Sequence, residues 1–140
     1  MGYFVQQYGF GYGRLDVIAR HPTRLAGDVV SPAGMMGHPI VMGLALSLLL
    51  AGAVLRMLSS DGVGLLVAGG TLLLALAMER TIAGARAYRQ FGDHAALAFP
   101  LVHMARDIAW VAAILAWAFR RLVRRPLRPE HSMSARPASR

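Results

Sequence analysis

The chain contains no cysteine and no lysine, and few charged residues of any kind: DEKR make up 16% of 140 residues. The missing cysteine excludes disulfide frameworks, thiolate metal sites and cysteine nucleophiles. The missing lysine means that all fifteen basic residues are arginine. A soluble domain carries about 25% charged residues, so the scarcity of charge points away from one. Disorder is excluded as well, because 56% of the residues are hydrophobic and they gather in blocks.

The net charge of +8 raises the question of nucleic acid. Its distribution argues for no nucleic-acid partner. Between Arg120 and Arg140 there are seven Arg and one Glu, while the remaining residues carry eight Arg and six acids. The excess thus sits in one tail behind an apolar block, the pattern of a basic flank at a cytoplasmic membrane edge. The Pro-, Arg- and Ser-rich end of that tail reads as disordered.

Two uncharged runs dominate the middle of the chain. Val29 to Leu55 holds no Asp, Glu, Lys or Arg, and its core from Pro39 extends to Leu58 if Arg56 snorkels. Gly62 to Met78 is the second run. About twenty helical residues cover a hydrocarbon core of roughly 30 Å. Ser59-Ser60-Asp61-Gly62 is a turn cluster, so the expectation is a transmembrane hairpin with helices at about 39–58 and 62–78. Gly43, Ala51, Gly69 and Gly70 are small enough to let the two helices approach closely. The polar stretch Glu79–His94 reads as a membrane-surface segment.

Ala95 to Phe119 has the length of a third span, but Arg106 and Asp107 fall inside it. His103, Arg106, Asp107 and Trp110 share one helical face. Charges in a membrane segment are a functional hypothesis by default; the alternative is a pair that neutralises itself and fixes the helix. Residues 95–119 are expected to form either a third membrane helix or a re-entrant one. The positive-inside rule sharpens the choice. Both the 79–94 segment and the tail at 120–140 favour the cytoplasm, and a full third span would separate them.

The N-terminal residues form no signal peptide. Phe4, Tyr8, Tyr12, Leu15 and Ile18 make a helical stripe, and His21-Pro22 stops it. Residues 3–20 therefore read as an amphipathic interfacial helix within a segment covering 1–37, with its aromatics at headgroup depth or packed on protein. Gly9, Gly11 and Gly13 lack the preceding strand and the following sheet of a dinucleotide-binding unit. The five His show no metal-ligand spacing, and no paired carboxylates, nucleophile elbow or phosphate loop occurs. The fold class is all-α, in a membrane protein.

Gln6-Gln7-Tyr8-Gly9-Phe10-Gly11-Tyr12-Gly13-Arg14 followed by Arg20-His21-Pro22 resembles a segment of bacterial membrane-bound family 2 glycosyltransferases. In that family the segment lies between a cytosolic catalytic domain and the C-terminal membrane helices. Pro100 to Trp110 is similar to their last membrane helix. The resemblance covers most of residues 1–125. It implies the C-terminal membrane part of an enzyme that moves a sugar from a nucleotide donor to a lipid-linked or polysaccharide acceptor in the bacterial inner membrane. It also implies substrate or lipid-phosphate contacts for Gln7, Tyr8 and Arg14, a catalytic domain or subunit as partner, and a divalent metal held by that domain rather than by this chain. The Q-x-x-R-W signature of processive members is absent, since Phe10 and Gly11 stand where its Arg and Trp would be. The alternative is a stand-alone membrane scaffold or accessory subunit without catalysis, and an ion-conducting element built on His103, Arg106 and Asp107 ranks behind both.

Overall fold

The computed structural model describes residues 2–23, 33–58 and 61–123. Four α-helices follow one another: α1 (Tyr3–Arg20), α2 (Ala33–Leu58), α3 (Val63–Phe91) and α4 (Phe99–Val123), with a short 3-10 turn at His94–Ala98 before α4. The fold is all-α, as expected. Three helical stretches, Gly37–Leu58, Val63–Phe91 and His94–Val123, are long and apolar enough to cross a membrane. α1 is not among them.

The distribution of apolar surface fits a lipid solvent. Only small or flexible hydrophobic side chains form the core: Met42, Ala45, Leu76, Ala109 and Ala113. Large ones point outward along every helix, with Leu50, Met57, Leu58, Val67, Leu74 and Leu115 at least half exposed. In water such a surface would drive aggregation. In a bilayer lipid tails are as apolar as leucine, so helix contacts go to small residues instead.

α2 and α3 form the expected hairpin. Its close crossing is made at Gly69, where a side-chain carbon would stand 2.8 Å from the Ala45 carbonyl oxygen, and at Gly52, where one would stand 2.9 Å from the Gly62 carbonyl oxygen. Of the other small residues expected there, Gly43 faces Val111 of α4, Gly70 has open space around it, and Ala51 is exposed. Small size is necessary at a helix crossing, but helical phase decides which small residues use it.

Both spans begin or end differently from the charge pattern. α2 starts at Ala33, so Pro39 lies inside the helix and is fully buried. There it supplies no N–H to the carbonyl four residues earlier. α3 does not stop at Met78. It continues through the polar stretch to Phe91, and Gly92 ends it in the left-handed conformation at φ 69° with its N–H on the Tyr88 carbonyl. Residues 79–91 are thus the last turns of a membrane-length helix rather than a separate segment. Polarity does not stop the helix because Glu, Arg and Gln are good helix formers; within these turns Arg80 points inward to Asp107.

That inward turn also eases the topology conflict. With Arg80 turned into the bundle toward Asp107, the exposed charges of residues 79–94 are Arg86 and Arg89 against Glu79 and Asp93, a balance of zero when His94 is neutral. Their pull toward the cytoplasm is correspondingly weak. α4 is one unbroken helix, long and apolar enough to cross a membrane. It packs on α2, α3 and α1. Of the expected basic tail, Arg120 to Val123 continues α4; residues 124–140 lie outside the described residues, as do residues 24–32 of the N-terminal segment.

Candidate functional site

A buried charge cluster joins α3 to α4. Asp107 has no exposed surface, and Arg80 and Arg106 are also buried. Arg106 donates from Nε and Nη2 to Asp107 Oδ1 at 3.1 and 2.8 Å. Arg80 reaches across from α3 and donates Nη2 to the other carboxylate oxygen at 3.4 Å. Side chains adjacent on a helix ordinarily face apart. Here the long Arg106 side chain folds back onto its neighbour while Asp107 also faces α3. Two guanidiniums therefore share one carboxylate, and the cluster carries a net positive charge. Arg80 Nε and Trp110 Nε1 are buried with no hydrogen-bond partner among the described residues.

His103 lies one turn before Arg106 on the same face, half-buried, its ring tilted 37° against that of Phe99 at 3.9 Å between centroids. His38 of α2 bonds through Nε2 to both carboxylate oxygens of Glu79, at 2.9 and 3.1 Å. Glu79 and Arg80 are consecutive, so His38, Glu79, Arg80 and Asp107 form one level across three helices. From His38 to Arg56 along α2 is about 27 Å at 1.5 Å per residue. In the sequence Arg106 and Asp107 stand mid-way through an apolar block. In the fold they stand at one end of the uncharged stretches of α2 and α3.

The second assembly is the seam between α1 and α4. Gly11 is the one buried α1 residue. A side-chain carbon there would lie 3.2 Å from both the Ala113 Cβ and the Trp110 ring. Further along, Trp117 Nε1 donates to Asp16 Oδ1 at 2.8 Å, and Arg120 donates to the Tyr12 hydroxyl at 3.0 Å. Arg121 lies over the Trp117 ring, 4.4 Å from its centroid. Of the aromatic stripe, Tyr8, Tyr12, Leu15 and Ile18 are half-buried while Phe4 is exposed. The stripe therefore packs largely on protein. Tyr3, Phe4 and Phe10 remain on the outer surface.

The residues singled out by sequence divide between these places. Gln7, Tyr8 and Arg14 are half-buried on α1, and the Tyr8 ring neighbours that of Tyr12 at 6.3 Å. His103, Arg106 and Asp107 share one face of α4, as expected. Arg80, Asp16, Trp117 and Arg120 complete the two assemblies, and only pairing across helices identifies them. Among the described residues no group of three or more His, Asp or Glu could hold a metal ion.

No family model, curated protein or solved structure matches the chain.

Proposed function

We propose that this chain is the membrane-anchoring part of a glycosyltransferase of the bacterial inner membrane, one that passes a sugar from a nucleotide donor to a lipid-linked or polysaccharide acceptor. The supporting observation is the clamp on α1. The helix that carries Gln7, Tyr8 and Arg14 is held to α4 by the Gly11 contact and by two hydrogen bonds from Trp117 and Arg120. A catalytic domain joined to α1 would inherit a fixed height and orientation over the bilayer. Positioning of this kind can supply a large share of a rate enhancement.

In this reading the chain performs no bond-making step. α2, α3 and α4 anchor it. Gln7, Tyr8 and Arg14 contribute contacts to substrate or lipid phosphate, for which a guanidinium is suited by charge and fork geometry. The paired charges of Arg80, Arg106 and Asp107 lock α4 to α3, so that α1 rests on a rigid support. The donor site and its divalent metal belong to the catalytic domain or subunit.

The test is to read the coding DNA upstream of the Met1 codon in the same frame. A continuous frame encoding a nucleotide-sugar domain with a D-x-D pair is the expected result. A stop codon close upstream, with a start signal at Met1 and no partner gene encoding such a domain, would overturn the transferase reading in favour of a stand-alone membrane scaffold.

A further inference from the structure

We propose that the seam between α1 and α4 holds a site for the anionic phosphate group of a membrane lipid, formed by Arg120 and Arg121 over Trp117, Tyr12 and Asp16. These five residues line an open cavity of about 260 Å³. None of the five is Gln7, Tyr8 or Arg14, and the site does not depend on the transferase reading.

The cavity has two guanidiniums and one carboxylate, and that carboxylate already accepts the Trp117 indole N–H. Arg120 spends one N–H on the neutral Tyr12 hydroxyl. Arg121 is held by the Trp117 ring face, and among the described residues its in-plane donors meet no carboxylate. Among the described residues neither arginine has a carboxylate partner. The two forks therefore offer several donors and an excess positive charge to a ligand that brings acceptors, and phosphate oxygens match that geometry.

A simpler explanation for arginines at a helix C-terminus is compensation of the helix dipole. Direction argues for more than that. Helical side chains lean toward their own N-terminus, and Arg120 and Arg121 do so, reaching back onto Tyr12 and Trp117. Their charged ends lie at the Tyr12 hydroxyl and over the Trp117 ring, in the seam with α1. Tryptophan, tyrosine and arginine together suit the depth at which lipid headgroups lie. The outward apolar side chains beside the cavity, Leu122 and Phe119, are exposed and suit acyl chains. Asp16 is the opposing element, since its charge repels a phosphate, and it supplies the sharpest test.

The full chain in mild detergent is titrated with dioleoyl phosphatidic acid, dioleoyl phosphatidylcholine or inorganic phosphate, and bound ligand is counted by native mass spectrometry. Phosphatidic acid is expected to bind one per chain, at least tenfold more tightly than phosphatidylcholine. Arg121→Gln, which leaves both α1–α4 hydrogen bonds in place, should weaken that preference, and R120Q/R121Q should abolish it. Asp16→Asn should strengthen phosphatidic acid binding severalfold, because the amide oxygen still accepts the indole N–H while the repulsive charge is gone. A merely structural seam would not give opposite signs for the arginine and aspartate variants. Failure of millimolar inorganic phosphate to displace the lipid marks a lipid headgroup as the source; displacement marks free phosphate as the ligand of the same site. Equal affinity for the two lipids, or a preference that survives R120Q/R121Q, would overturn the proposal. Neither result bears on the upstream reading frame.

Discussion

Asp107→Asn is the substitution with the largest expected effect on stability. The asparagine keeps the shape of the side chain and removes its charge. One of the two acceptor oxygens becomes an NH₂ donor, which then faces a guanidinium donor from Arg106 or Arg80. Two buried cations lose their shared counter-charge. Removing one partner of a buried ion pair costs about 3–5 kcal/mol, since the remaining charge is left uncompensated. Relief is available on one side only. Arg80 neighbours the exposed Glu79 at the end of the apolar stretch and can redirect its long side chain outward, which places the cost near the lower end, about 3 kcal/mol. Arg80→Gln removes only the 3.4 Å contact and leaves the Arg106–Asp107 pair neutral, so it should cost about 1 kcal/mol or less. Replacing all three charges by apolar side chains, R80M/R106M/D107L, should recover most of the loss, because well-packed apolar replacements of buried ion pairs are often neutral or stabilising. Unfolding by SDS in mixed micelles, followed by circular dichroism, gives the three values. A D107N variant within about 1 kcal/mol of the parent, or one more stable than R80Q, would refute the shared-carboxylate reasoning.

Other outcomes follow from the packing. Gly69→Leu should push α3 off α2 and destabilise by about 1–3 kcal/mol, whereas Gly70→Leu, with open space around it, should be close to neutral; the same SDS titration compares them. The double variant G11C/A113C should form a disulfide on mild oxidation. The side-chain carbons lie about 3.2 Å apart before adjustment, near the usual Cβ separation, and the cysteine-free parent gives no background. G13C/A113C is the control, because Gly13 faces open space; equal cross-linking of the two pairs on denaturing gels would contradict the docking of α1. Trp117→Phe should loosen α1 by removing the indole donor to Asp16, read as faster proteolysis of the N-terminal helix with α2–α4 intact.

What could be read from the sequence depended on whether a signal is local. α1 ends at Arg20 because a proline follows His21, and that stop is visible without any tertiary knowledge. The hairpin is visible because two uncharged runs flank a turn. Arg80 was not visible: in a polar run it looks like any surface arginine, and its role appears only when α3 places it opposite Asp107. The end of α3 had a local sign that the charge pattern overrode, namely Gly92 after the last helical turn. The choice between Gly52 and Ala51 at the crossing is a matter of helical phase relative to a partner. The aromatic stripe on α1 gave the correct face but not what it meets. Gly11, set between Tyr8 and Tyr12 on that face, was the hint that another helix lies there.

Side-specific labelling of single cysteines tests the three-span architecture most directly. Asp61→Cys lies in the α2–α3 turn and Phe91→Cys at the exposed end of α3, and each is introduced alone into the cysteine-free chain. A membrane-impermeant maleimide is added to sealed right-side-out and inside-out vesicles. If α3 crosses the bilayer, the two cysteines label in opposite vesicle preparations. Labelling of both from the same side would contradict a transmembrane α3, and with it the three-span arrangement.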